Sequence, residues 1–277
     1  MDLNWSSITL GVDAPHRQAR EWVAERAAAG ARTVQVVAVT PPGIRSEPDV
    51  DEVVATLREA CPEATVTVAL RSGTVVGELV GASEGDDLLV VGSFRGRRGS
   101  TIGRVPERLA ERALVPVVVV PDHDRAIEGD VVLAVDEPLD ERAVRIAVAE
   151  AQRRRRRLTL LRAWEMPVIT RTGLTDFAED PLRWRRLNAE ILDRVADDVA
   201  RRFPEVRVHR LLVEGHPGRA IVGHTRLASL VVLGQGHVHV LSGSVLHTVL
   251  RESAVPVCVV PPTPVAADEE LAEPAAS

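Results

Sequence analysis

Short apolar runs alternate with amphipathic stretches along the whole chain. The run 8–12 ends at Asp13 and precedes an amphipathic stretch over about residues 15–29. The run 34–39, a helical stretch near 49–60, the run 65–70 and a helix near 74–82 follow. The run 88–91, a glycine-rich segment, a helix near 105–113 and the run 117–120 complete this half. Continuous apolar runs, rather than strict alternation, mark strands buried on both faces of a parallel sheet. Strands alternating with helices predict βαβ crossovers and an open, doubly wound α/β sheet.

The plan then repeats. Ile8-Thr9-Leu10-Gly11-Val12-Asp13 returns as Val131-Val132-Leu133-Ala134-Val135-Asp136. Leu88-Leu89-Val90-Val91-Gly92 returns as Leu230-Val231-Val232-Leu233-Gly234, and Gly103-Arg104-Val105 as Gly243-Ser244-Val245. Val115-Pro116-Val117-Val118-Val119-Val120-Pro121 returns as Val255-Pro256-Val257-Cys258-Val259-Val260-Pro261. Matches in the same order in both halves mark a tandem repeat. The second copy has a longer middle: an excursion loop over 166–180, then a long helix from Pro181 to about Arg202, with Pro suited to the first turn. A polar link at 122–129 divides domain 1 (1–124) from domain 2 (128–262). The Pro, Ala and acid tail 263–277 has no apolar period and is expected to be disordered.

Composition narrows the chemistry. Hydrophobic residues make up 45% and aromatics 3%, so the cores must be built from Val, Leu, Ile and Ala. A net charge of −6 argues against nucleic-acid binding, whose affinity comes from phosphate neutralisation. The chain has no Lys, which excludes a P-loop lysine, a Schiff-base lysine and pyridoxal-phosphate chemistry. Two cysteines, Cys61 and Cys258, give neither a disulfide framework nor a CxxC metal site, which fits a reducing compartment. No apolar run has the length of a membrane span, so a cytoplasmic protein with no membrane partner is expected.

The repeated pieces together resemble the universal stress protein family over nearly all of the chain up to Pro261. They are the Val-Asp closing the first strand, the Leu-Leu-Val-Val-Gly before a glycine loop and the Pro-Val-Val-Val-Val at the end. Arg162-Ala163-Trp164 also looks like the His-Ala-Trp that many members show after the second strand. The resemblance implies a five-stranded parallel sheet in each half, of the adenine nucleotide alpha hydrolase-like type. It also implies a stress-response or signalling role and an adenine nucleotide, ATP, as the cofactor.

What the resemblance implies about residues is specific. Asp13 and Asp136, with the backbone at Val39 and Ala163, would hold adenosine. The phosphates would lie on a loop of pattern G-x2-G-x9-G-S/T, here Gly92, Gly96, Gly103 and Arg104 in one copy. In the other copy they would lie on Gly234, Gly236, Gly243, Ser244 and Val245. Glycines let backbone amides approach an anion, and the next helix adds a favourable dipole. Such ligands sit beyond the carboxyl ends of the strands at the topological switch point. Both loops depart from the pattern. Six residues separate Gly96 from Gly103 and also Gly236 from Gly243, and Arg104 takes the Ser/Thr place. Glu137-Pro138 follows Asp136, where a Glu facing phosphates would repel them.

Plainer roles stand beside these. Each strand-ending Asp can simply cap the next helix. Arg95, Arg97, Arg98 and Arg104 can clamp an anion or form a solvated basic loop. The run Arg153–Arg157 closes a helix and complements its dipole. The histidines at 216, 224, 237, 239 and 247 show no convergent metal spacing. The resulting expectation is a non-enzymatic ATP-binding stress-response module. A pseudo-dimer acting through protein partners is the alternative, and a slow ATP hydrolase a third. If one copy binds, the second is expected to, because Gly243-Ser244 keeps the closing pair. The final strands, 117–120 and 257–260, are expected to pair within the chain, since an unprotected sheet edge seeks a partner.

Overall fold

The computed structural model describes residues 5–12, 17–43, 50–93, 105–122, 128–166, 181–235 and 243–262. The first half runs β1 (Ser7–Val12), α1 (Arg17–Ala28), β2 (Thr33–Thr40), α2 (Asp51–Ala60) and β3 (Thr65–Ser72). It continues with α3 (Val75–Ala82), β4 (Leu88–Ser93), α4 (Val105–Arg112) and β5 (Val117–Pro121). The second half runs β6 (Val131–Ala134), α5 (Glu141–Arg154), β7 (Leu158–Trp164), α6 (Pro181–Arg202) and β8 (Val208–Glu214). It ends with α7 (Pro217–His224), β9 (Leu230–Gly234), α8 (Gly243–Glu252) and β10 (Val257–Val260). The expected βαβ alternation holds in both halves, and α6 opens on Pro181 as its residue type predicts. The tail, the excursion loop from 167 to 180 and most of the link, 123–127, lie outside the described residues.

All these strands join one sheet in the order β3-β2-β1-β4-β5-β10-β9-β6-β7-β8. Every pairing within a half is parallel. At the centre β5 and β10 run antiparallel, with Val117 opposite Val259, Val118 opposite Cys258 and Val119 opposite Val257. The two final strands therefore do pair within the chain. What would be an open apolar edge in each half is buried in the middle of a common sheet.

The pleat sends alternate side chains to opposite faces. Leu10, Val36, Val90, Val118, Leu133, Leu160 and Cys258 lie in one core, with α1, α2, α5 and α6 packed on it. Val37, Leu89, Val119, Leu161, Leu233 and Val257 lie in the other, under α3, α4, α7 and α8. Each core crosses the seam between the halves without a break. The expectation of burial on both faces holds for the central strands but fails for β3. Sequence Thr-Val-Thr-Val alternates there, and as an outer strand it leaves Val68 and Leu70 exposed. The opposite edge, β8, is also largely uncovered, but its Arg210 is held by Asp193 and Asp197 of α6.

The link re-enters the sheet at a tight crossing. A Cβ on Gly129 would lie 1.6 Å from the Leu227 carbonyl oxygen, so only glycine fits. Among the described residues no helix is long and apolar enough to cross a membrane.

Candidate functional site

Each half has one topological switch point. From β1 the chain winds outward to β2 and β3, then returns to lay β4 on the other side of β1. The equivalent crevice in the second half lies between β6 and β9. Ligands of doubly wound sheets sit at the carboxyl ends of such strand pairs.

In the first half, β1 stops pairing with β2 at Val12 opposite Ala38, while β2 continues beside β3 to Thr40. Val39 thus extends past the end of β1. Its side chain is buried in the core, so only its backbone can meet a ligand. Gly92 lies on the far side of β1, paired with Val120 near the carboxyl end of β4. Val39 and Gly92 flank the crevice. Asp13, Gly96, Gly103 and Arg104 lie outside the described residues, as do Arg95, Arg97 and Arg98.

The second half reproduces the offset. The Val135 amide donates to the Leu161 carbonyl at 2.8 Å, and β7 continues through Arg162, Ala163 and Trp164 beside β8. Ala163 is half-buried at the place of Val39. The neighbourhood of Asp136 differs from expectation. Asp136 does not cap α5: its Oδ1 accepts from the Glu137 amide at 2.9 Å. The cap is Asp140, whose Oδ1 accepts from the amides of Arg142 at 2.8 Å and Ala143 at 3.2 Å. The strand-ending Asp lies too early in the connection, and the carboxylate at the helix mouth takes the orphan donors.

Asp140 also decides the chemistry of Gly234. A Cβ on Gly234 would lie 2.7 Å from the Asp140 Cβ. Gly234 therefore makes room for a carboxylate of its own chain. Asp136, Glu137 and Asp140 all lie on the connection from β6 to α5, and two arginines stand near the first two. Arg194 bonds Glu137 at 3.0 Å. Arg162 donates from Nε to Asn188 Oδ1 at 2.9 Å and from Nη1 to the Val135 carbonyl at 3.4 Å. Burial lowers the Arg162 pKa below its usual value, against the pull of Asp136 and Glu137.

The remaining predicted residues divide. Gly243 and Ser244 open α8, so the closing pair stands at a helix N-terminus. Val245 is in the core beside Val249. Gly236, His237 and His239 lie outside the described residues. Gln235 reaches across the seam, donating from Nε2 to the Ala110 carbonyl of α4 at 2.6 Å. Sequence reasoning missed this tie and the Asp140 cap. Among the described residues no three His, Cys, Asp or Glu side chains come together to hold a metal. The His224 ring is bonded to the Ala220 carbonyl at 2.9 Å, and His247 lies 3.7 Å from Glu111.

Comparison with known proteins agrees with this architecture. The profile of the Universal stress protein family matches residues 129–261. A universal stress protein of Mycobacterium tuberculosis is 32% identical over 222 residues, covering 74% of this chain and 71% of the relative. The crystal structure of a universal stress protein from Archaeoglobus fulgidus superposes with a TM-score of 0.65 at 20% identity, over 92% of this chain and 96% of that one. A putative universal stress protein from Pseudomonas aeruginosa gives 0.63 at 16% identity, over 93% of each chain. Those two likenesses are of fold, and the sequence relationship supplies the kinship. With its two winding halves, paired switch points and repeated strand motifs, the chain belongs to the universal stress protein family.

Proposed function

We propose that the chain is a stress-response signalling module that takes one adenine nucleotide, ATP, in its first half. Its second half serves as a nucleotide-free partner. The observation that carries this is the packing of Asp140 against Gly234. It sets a fixed carboxylate where the second copy would bring backbone close to a phosphate. Asp136 and Glu137 add like charge, and a polyphosphate would meet repulsion there. The first half has the opposite balance. Its only carboxylate between β1 and α1 is Asp13, and its glycine loop carries Arg95, Arg97, Arg98 and Arg104. Guanidinium groups suit phosphate oxygens. This reading puts the nucleotide in the other half from the one that Gly243-Ser244 favours. ATP acts here as a ligand rather than a substrate, in the cytoplasm, with no lysine to assist transfer.

Equilibrium dialysis with labelled ATP tests the assignment. Uptake of one nucleotide per chain is expected, lost in Gly103→Val and kept in Ser244→Ala. The opposite pattern moves the site to the second half. No uptake at millimolar ATP leaves the second reading, a pseudo-dimer that works through protein partners. The continuous antiparallel seam of β5 and β10 favours that reading as the alternative.

A further inference from the structure

The arginine run closing α5 has a use that helix-dipole complementarity does not cover. Arg153 and Arg154, with Arg26 of α1, converge across the seam on one atom, Glu150 Oε2. The distances are 2.8 Å from Arg153, 2.9 Å from Arg26 and 3.6 Å from Arg154. Trp5 Nε1 donates to the other oxygen of Glu150 at 3.1 Å. Both Arg26 and Glu150 are buried, at 1% and 2% exposure.

A second carboxylate, Glu25, covers the cluster from outside. It touches all three guanidinium groups, each at 3.2 Å. Charge-assisted bonds of this kind are normally about 2.7–2.9 Å. Its side chain is 50% exposed. Glu25 is thus a loosely held lid, not an interior partner. Three cations face two anions, and the Nε atoms of Arg26, Arg153 and Arg154 are all buried without a hydrogen-bond acceptor. An unsatisfied buried donor is costly, and several beside an excess positive charge call for an acceptor with more oxygens than one carboxylate has.

We propose that this seam cluster is an oxyanion site, in which a phosphate-type group displaces Glu25 and takes the three guanidinium groups that it bridges. A tetrahedral oxyanion presents more acceptors than a carboxylate and suits planar arginine forks. Arg26 comes from the first half and Arg153 and Arg154 from the second, so the bound anion ties the halves together. The site is separate from the β1–β4 crevice and does not rest on nucleotide binding.

Equilibrium dialysis of the full chain against radiolabelled inorganic phosphate, at constant ionic strength, tests it. Uptake of one phosphate per chain is expected. Glu25→Gln should tighten binding about two- to fivefold, the range for releasing one partly exposed ion pair. Arg153→Gln should abolish uptake, and Arg154→Gln, whose contact with Glu150 is longer, serves if that variant fails to fold. Gly103→Val should change nothing. Displacement by glycerol 3-phosphate would assign phosphomonoesters to the site, and its failure the free ion. Absence of uptake overturns the proposal. So does uptake that ignores Glu25→Gln and Arg154→Gln, or uptake lost in Gly103→Val.

Discussion

Arg26 of α1 donates to Glu150 of α5 at 2.9 Å across 124 positions of sequence, and neither side chain reaches solvent. The seam between the halves is therefore apolar along β5 and β10, with the buried Arg26–Glu150 pair at the centre of a charged cluster beside it. Removing Glu150 leaves the buried Arg26 with only the half-exposed Glu25, beside two further guanidinium groups, at a cost of about 3–5 kcal/mol. Glu150→Ala should destabilise the chain by that amount in urea unfolding. Arg26→Met with Glu150→Leu should recover most of it. A double variant as unstable as the single one would show that the pair, and not the stranded charge, supplies the stability.

Glu150 also sets an acid limit. Burial alone would raise its pKa, but Arg26 and Arg153, with hydrogen bonds from Arg153 and Trp5, hold it down to about 2 from its ordinary 4.5. A carboxylate depressed on folding contributes stability that is fully present above its unfolded value and lost as pH falls through the folded one. The stabilisation should therefore decline as pH falls from 4.5 towards about 2. Glu150→Gln should flatten the stability profile in that window. An unchanged slope would remove Glu150 as its source.

Gly234 and Asp140 should behave as a coupled pair. Gly234→Ala forces a Cβ into the Asp140 side chain and should cost about 1–3 kcal/mol, as overpacking does. Asp140→Gly loses the side-chain cap of α5 at only about 0.3 kcal/mol, since glycine is itself a tolerated cap. In the Asp140→Gly background, Gly234→Ala should cost clearly less, and a double-mutant cycle of thermal or urea stabilities reads the difference. Strict additivity would mean that the backbone at Gly234, and not the approach of Asp140, demands glycine.

Val119 tests the seam itself. It lies opposite Val257, is 2% exposed and belongs to the core that spans both halves. Val119→Asp buries an unpaired charge, a penalty of several kcal/mol. Trypsin digestion of the folded chain should accelerate more than about tenfold, since each 1.4 kcal/mol is a tenfold change in the open fraction. Val119→Thr, a milder change, should fall between this and the parent. Cleavage rates equal in all three would place the stability of the pairing elsewhere.

Much of the fold was legible because it follows from local pattern. The runs at 88–91 and 117–120 are apolar without a break because they become interior strands, and Pro181 opens α6 because that turn needs no amide from it. The pairing of β5 with β10 was also readable: two short apolar strands, each at the edge of its half, sit in one chain. The candidate site was less legible. Asp136 had the residue type for a ligand contact or for the helix cap, but Asp140 holds the cap, because only the path of the connection decides which carboxylate meets the free amides. Locally the basic run after Ala151 reports only complementarity to the helix dipole. Its partner Glu25 is 128 positions from Arg153, and no local pattern reports such a contact.

By itself the sequence determined the alternation of strands and helices, the duplication and the valine-rich interior. These depend on side-chain polarity at the period of each element, which is written in neighbouring residues. Tertiary structure alone decided the antiparallel register that sets Val118 against Cys258 and the carboxylate that fills the space beside Gly234. It also decided the meeting of Arg26, Arg153 and Arg154 on Glu150. Each of these is a contact between segments far apart in the chain, and it forms only when packing of the two halves fixes their distance and removes water from between them.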